Sequence, residues 1–324
     1  MSTLDTATAQ TAAPPGLVPS LIKLARPHQW LKGAFVIVGP AYGVATGKPL
    51  AVGMGIAVLG AFLAFGFASS SCYVVNDIRD READRLHPRK RNRPIASGAV
   101  PVPVARIFSM CLLACSGAAT LLALANHDRG EWGAMSPVAW LAAFVGGYVV
   151  NTTLYSLRFK QAVVLDVISL AAGFVVRVLG GCAAAGVKPS SFLLNCTFFV
   201  SMFLAFGKRL GERRTMGDQA GAARAVQLAY TDELLRMAVI VTGVVSLVSY
   251  AGYVQDQGPK YEFGFNLLWL TMLPATYCLL RCIVLLERGQ YDDPTELASR
   301  DRPFQGALAL FGIITVAVMV GMHK

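Results

Sequence analysis

The densest chemistry in the chain lies between Asn76 and Pro94, which reads N-D-I-R-D-R-E-A-D-R-L-H-P-R-K-R-N-R-P. Wound as a helix at about 100° per residue, Asn76, Asp77, Asp80 and Asp84 fall within an arc of about 100°, and Glu82 points nearly the opposite way. Three carboxylates and an amide on one face repel one another unless a cation sits among them. Oxygen donors on so short a span suit Mg2+, which commonly takes one or two carboxylates and fills its remaining positions with water and substrate phosphates. Arg89, Lys90, Arg91 and Arg93 follow directly. Metal-binding acids beside phosphate-binding bases point to a site for a Mg2+-bound diphosphate. A loop whose arginines only fixed membrane topology has no need to gather its acids on one side.

The elements that must position this run are apolar. Of 324 residues, 55% are hydrophobic and only 15% charged, against about 25% charged in a soluble domain; mean hydropathy is +0.52. Several apolar runs approach the ~20 residues that cross a bilayer as a helix. They are continuous, whereas barrel strands alternate in segments of ~10 residues. The expected fold class is an all-α polytopic membrane protein with nine transmembrane helices, at roughly 30–47, 51–76, 102–125, 136–157, 163–186, 190–210, 234–254, 264–286 and 304–322. The first is the weakest, holding Lys32, several glycines and Pro40. Residues 1–20 are rich in Ala, Thr and Pro and lack the basic start and apolar core of a signal peptide. They read as a mobile cytoplasmic tail ahead of one membrane domain, 21–324.

Charge orients the bundle. Of 29 lysines and arginines, Lys48, Arg129, Lys188, Lys260 and Lys324 fall on one side, and Arg106 and Arg177 lie within spans. All the others gather with the N-terminus and the loops after the even-numbered spans. That excess places the N-terminus and four charged loops in the cytoplasm and the C-terminus outside. A net charge of +10 can signal nucleic acid, but bases confined to loops on one membrane face argue against it. The seven cysteines lie mostly in apolar runs and read as small apolar residues, not zinc or disulfide sites.

Three further constellations stand on the charged side. Tyr155 and Lys160 lie in the second charged loop, with Asp166 just inside span five. On that helix Asp166, Gly173 and Arg177 fall within about 40° of one another, with Arg177 ~16 Å deeper. A charge at that depth faces the bundle interior or a wet cavity and needs a partner, although Gly173 and Gly181 also mark a small-residue packing stripe. The loop after span six, Gly207-Lys208-Arg209-Leu-Gly-Glu212-Arg213-Arg214, is either an amphipathic helix on anionic lipid or a second phosphate clamp. In the loop after span eight, Thr295 to Asp301 has the composition of a short helix, as a cap or as a cover over the cytoplasmic mouth.

The N-D-x-x-D-x-x-x-D of Asn76–Asp84, at the cytoplasmic end of the second of nine helical spans, resembles the UbiA superfamily of intramembrane prenyltransferases. Arg26-Pro-His-Gln-Trp30-Leu-Lys32, H-P-R-K-R-N-R-P-I-A-S-G behind the acids, Tyr155-Ser-Leu-Arg-Phe-Lys160, Gly207-Lys208-Arg209 with Glu212, and Pro294 through Arg302 look like its decaprenyl-phosphate phosphoribosyltransferase branch. The resemblance covers roughly 22–322. It implies Mg2+ on Asp77, Asp80 and Asp84, with Asn76 orienting them. It also implies 5-phosphoribosyl-1-diphosphate as donor and decaprenyl or another polyprenyl phosphate as acceptor, diphosphate being released, toward arabinose donors for the cell envelope. The place implied is a bacterial plasma (inner) membrane with the site facing the cytoplasm, and family precedent permits a homotrimer. Prenyl-transferring members usually carry a second acidic cluster near the start of span six. Here that span opens Ser190-Ser-Phe-Leu-Leu-Asn195, and Tyr155, Lys160 and Asp166 stand in for the cluster. Lys32, Arg91, Arg93, Lys160, Lys208 and Arg209 are then expected at phosphates, Tyr155 and Asp166 at the ribose or acceptor, and Arg177 in the substrate cavity. A lipid phosphate is already anionic and needs no general base, which fits four scattered histidines. The alternatives are prenyl transfer from a polyprenyl diphosphate onto an aromatic or other small acceptor, and a non-enzymatic lipid-phosphate carrier. A carrier would favour a midplane site and inverted repeats.

Overall fold

The computed structural model describes residues 16–45, 47–86, 90–125, 137–216, 229–257, 266–290 and 300–321, and every regular element among them is helical. The chain opens with α1 (Leu17–Ala25), a 3-10 turn over Pro27–Gly33 and α2 (Ala34–Ala45). Next come α3 (Val52–Arg79), α4 (Arg81–Leu86) and α5 (Val102–Ala125). The central part is α6 (Pro137–Leu157), a 3-10 turn over Phe159–Gln161, α7 (Leu165–Ala185) and α8 (Ser191–Met216). It closes with α9 (Asp232–Gln257), α10 (Met272–Glu287) behind a 3-10 turn over Leu267–Thr271, and α11 (Arg302–Gly321).

Among the described residues six helices are long and apolar enough to cross a membrane: α3, α5, α7, α8, α9, and α10 with its leading turn. The weakest expected span is short, as its composition foretold. α2 has 12 residues with Pro40 inside, so at 1.5 Å per residue it covers only ~18 Å. The tail expected to reach Ser20 ends sooner. Residues 17–20 are the first turn of α1, where Pro19 is tolerated because no intrahelical N–H is lost, and Ser20 and Leu24 are buried. Residues 1–15, residues 87–89 with Arg89 among them, and the short helix expected from Thr295 lie outside the described residues, except that Arg300 and Asp301 are described.

Small residues let the helices meet backbone to backbone, the usual substitute for a hydrophobic drive in lipid. α3 packs on α5, α6 and α7 along Ala57, Ala61, Ala64 and Ala68, all fully buried. Ser116 on α5 donates to the Ala64 carbonyl at 2.8 Å. α2 lies against α7, where a Cβ on Gly181 would overlap the Val36 carbonyl and one on Gly39 would overlap the Cys182 sulfur. One apolar core joins α2, α3, α6 and α7 around Val36, Phe65, Leu141 and Tyr148. A second joins α7 to α10 around Phe203, Phe206, Tyr230 and Leu285. Asp301 caps α11, accepting from Phe304 N at 2.8 Å and from Arg281 on α10 at 3.2 and 2.9 Å. The Arg281 hydrogen bonds hold its carboxyl below the usual range.

Candidate active site

A straight helix through Asn76–Asp84 is not what forms. α3 stops at Arg79, Asp80 takes φ −86° and ψ 4°, and α4 restarts at Arg81. The bend is shallow, because Asp80 N still donates to Asn76 O (2.9 Å) and Asp84 N to Asp80 O (2.8 Å). Asp77 and Asp84 therefore remain near one another, buried to 2% and 4% exposure. Glu82 faces outward and pairs with Arg81 and Arg85; the Arg81 hydrogen bond holds it below the ordinary carboxylate range.

Cations occupy the acids. Arg93 Nη1 lies 3.1 Å from Asp77 Oδ1 and 2.7 Å from Asp84 Oδ2. Arg26 Nη2 lies 2.6 and 2.7 Å from the two oxygens of Asp77, with its guanidinium 5.1 Å above the Tyr73 ring. Lys160 Nζ lies 3.0 Å from both oxygens of Asp80. Among the described residues no three Asp, Glu, His or Cys side chains make a ready metal cluster. Yet the carboxylates of Asp77 and Asp84 already converge on one positive atom, Arg93 Nη1. Two hard oxygen donors around one cationic point match what Mg2+ asks of a protein. The oxygen donors of Asp77, Asp80 and Asp84 are of the kind that ion takes.

Asn76 departs from expectation. Its side chain lines a cleft of about 160 Å³ among α3, α5 and α6, with Arg79, Ser71, Ser109 and Thr153. Asn76 stands at the edge of the acidic arc farthest from Asp77, about 100° round the helix, and that edge turns to the cleft. Arg79 closes this cleft by donating to the Ser156 and Leu157 carbonyls at the end of α6.

Asp166 and Arg209 are together, but not at an open surface. Arg209 Nε donates to Asp166 Oδ2 (3.1 Å) and its Nη1 to Glu212 (3.1 Å). Tyr230 OH donates to Asp166 Oδ1 at 2.6 Å. Asp166, Arg209 and Tyr230 are 0%, 2% and 0% exposed, so the expected contact of Asp166 and Arg209 with substrate is replaced by a buried clamp. The physical reason is that α8 runs unbroken to Met216, carrying Arg209 inward against α7. Arg213 pairs with Asp232 and Arg214 with Glu287, so the segment is held between helices instead of lying on lipid.

Arg177 is 5% exposed, inside the bundle as its depth required. Its partners are neutral: Nη2 donates to Tyr148 OH (2.8 Å) and Ser69 Oγ (3.0 Å), and Nη1 to Gly173 O (3.4 Å). The guanidinium lies 4.4 Å from the Tyr148 ring centre. Of the remaining expected residues, Lys32 and Arg91 are exposed, while Tyr155 and Lys208 are half-buried. A second, larger cavity of about 700 Å³ lies toward the other end of the bundle, lined by Ile37, Pro40, Tyr42, Phe192, Tyr250 and Val316 among others.

Sequence reasoning missed Arg26 and Tyr230. Arg26 opens the R-P-H-Q-W-L-K run, from which Lys32 was taken instead; its pairing with Asp77 spans 51 residues. Tyr230 carried no signal, since no motif stands around it in the sequence.

Comparison with known proteins fits this arrangement. The family model described as UbiA prenyltransferase family matches residues 34–299. The chain is 34% identical over 318 residues to a decaprenyl-phosphate phosphoribosyltransferase of Mycolicibacterium smegmatis, covering 95% of each chain. It is 32% identical over 317 residues to the protein of that name from Corynebacterium glutamicum, covering 95% of this chain and 88% of that one. Among solved structures, a UbiA homolog from Archaeoglobus fulgidus bound to DMAPP and Mg2+ superposes with a TM-score of 0.64 at 20% identity, over 93% of this chain and 99% of that one.

Proposed function

The chain belongs to the UbiA prenyltransferase family, a multi-pass membrane transferase, and on that premise we propose that it moves 5-phosphoribose from 5-phosphoribosyl-1-diphosphate to a polyprenyl phosphate such as decaprenyl phosphate. The observation that carries the reading is the company its acids keep. Asp77, Asp80 and Asp84 are answered by Arg26, Arg93 and Lys160, and Lys160 with a neutralised Asp166 stands in for the second acidic cluster that would serve prenyl diphosphates. Relatives of that name match nearly end to end.

In the proposed reaction the C1–O bond of the ribose breaks and its electron pair leaves with the diphosphate. A non-bridging oxygen of the lipid phosphate bonds to C1 in its place. Mg2+ held by Asp77, Asp84 and Asp80 would supply charge neutralisation for the leaving diphosphate. Arg26, Arg93 and Lys160 take up the negative charge that grows on that group, so they bind the transition state more strongly than the ground state. Lys32, Arg91 and Lys208 face the donor's other phosphate and the acceptor from the cytoplasmic rim. Arg177, with no carboxylate beside it among the described residues, presents a buried positive charge to the reacting anions. No side chain has to remove a proton from the acceptor. The apolar cavity lined by Tyr42, Phe192 and Tyr250 takes the lipid tail.

The test mixes purified protein, Mg2+, polyprenyl phosphate and ribose-labelled phosphoribosyl diphosphate, then extracts with organic solvent. Label is expected in the organic phase and is expected to stay aqueous when Mg2+ is chelated. Aqueous label in all arms, with labelled prenyl diphosphate consumed instead, would establish prenyl transfer in its place.

The reading also sets nine spans with the N-terminus and the acids in the cytoplasm of a bacterial inner membrane. Single cysteines tested with a membrane-impermeant thiol reagent, in a background without the native seven, check it. Lys48→Cys should label on intact cells and Arg91→Cys only after permeabilisation. The opposite pattern would invert the topology.

A further inference from the structure

Lys160 reaches Asp80 from a loop that ends in an unusual backbone. Val164, which caps α7, has φ 69° and ψ −43°, close to the strained γ-turn that residues other than glycine seldom adopt. A β-branched side chain makes it worse. The loop cannot avoid it: Ala162 N donates to Phe159 O (3.0 Å), Asp166 N to Ala162 O (3.1 Å), and Ile168 N to Val164 O (2.9 Å), so the turn carrying Lys160 and the first turn of α7 meet at this one residue.

A single hydroxyl holds the junction. Tyr230 OH accepts from Val164 N at 2.8 Å and donates to Asp166 Oδ1 at 2.6 Å, while Arg209 Nε fixes the other Asp166 oxygen. The ring is fully buried and packs edge-on against Phe206, centroids 6.3 Å apart. Burial pushes the phenol well above its ordinary value, so it stays protonated and able to donate. Tyr230 comes from the segment leading into α9, distant in sequence from everything it fixes.

We infer that Tyr230 is a positioning residue, whose hydroxyl clamps Val164 in its strained conformation and thereby delivers Lys160 to Asp80 and to the leaving diphosphate. The inference rests on the proposed role of Lys160, but it can be read without turnover. Tyr230→Phe keeps the ring and removes the clamp; Val164 then relaxes toward extended backbone and Lys160 withdraws. Glycine adopts positive φ freely, so Val164→Gly should make the clamp dispensable. Expected results are a fall of about tenfold or more in kcat for Tyr230→Phe, near wild-type behaviour for Val164→Gly, and return to within about threefold of wild type in the double variant. In parallel, mass spectrometry follows modification of Lys160 by an amine reagent: slow in wild type, faster in Tyr230→Phe, slow again in the double variant. Should Tyr230→Phe fail to accumulate, the double variant must accumulate. A double variant no better than Tyr230→Phe in activity, Lys160 protection and yield overturns the inference, as does a Tyr230→Phe variant indistinguishable from wild type. If wild type transfers no phosphoribose, the proposed function falls, and the Lys160 labelling still decides this point.

Discussion

Asp77→Asn is expected to lower phosphoribosyl transfer by about 10²–10³-fold or more while the protein remains folded. Asp77 is 2% exposed and answers two guanidiniums at once, Arg26 through both its oxygens and Arg93 through one. Asparagine keeps the shape but neither the charge nor the affinity for a divalent ion. The change also leaves Arg26 without its counter-charge. Removing one member of a buried pair can cost ~3–5 kcal/mol, but Arg26 keeps 22% side-chain exposure and the Tyr73 ring face, so the cost here is smaller. Adding Arg26→Gln separates the two effects. The double variant should regain the melting temperature lost by the single one and regain none of the turnover. Diphosphate release and thermal unfolding in detergent measure both. Transfer by Asp77→Asn at near wild-type rate would remove Asp77 from the chemistry.

Gly181→Val is expected to abolish the folded protein. A side chain at Gly181 runs into the Val36 carbonyl, which is backbone and cannot rotate aside. α2 would have to lift off α7, opening the core formed by Val36, Phe65 and Ala183. Overpacking in a tight core usually costs ~1–3 kcal/mol, but a clash with backbone across a helix pair displaces a whole element. That element carries the Pro27–Gly33 turn, tied to α3 by Trp30 Nε1 to Ser70 Oγ at 2.9 Å, and with it Arg26. Gly146→Val is the control: nothing lies within 4 Å of the Cβ it would add. Gel-filtration profiles should show a collapse in yield for the first and a wild-type peak for the second. A monodisperse Gly181→Val protein would refute the close approach.

What could be read from the residues alone was whatever repeats locally. The long apolar runs became helices, Glu82 turned away from its neighbours, and Arg177 went inside, because hydropathy and helical rotation act within a few residues. The pairing of charges was not legible. Lys160 meets Asp80 across 80 residues and Tyr230 meets Asp166 across 64, and no periodicity encodes such distances. Asp166 and Arg209 read as substrate-facing because each stands at the charged end of an apolar run; the length of α8 buried them. Asn76 stood at one edge of the arc drawn for the acids, and that edge faces the cleft beside α5 and α6.

The apolar cavity near α2 and α11 has one more implication. Ile37, Leu50 and Val316 on its wall are 49%, 77% and 61% exposed, so its side is open where lipid would stand. A chamber open along its side makes a poor ruler. Isoprene units beyond the first few would trail among neighbouring acyl chains, and the catalyst would tolerate lipids of many lengths, leaving discrimination to the phosphate head alone.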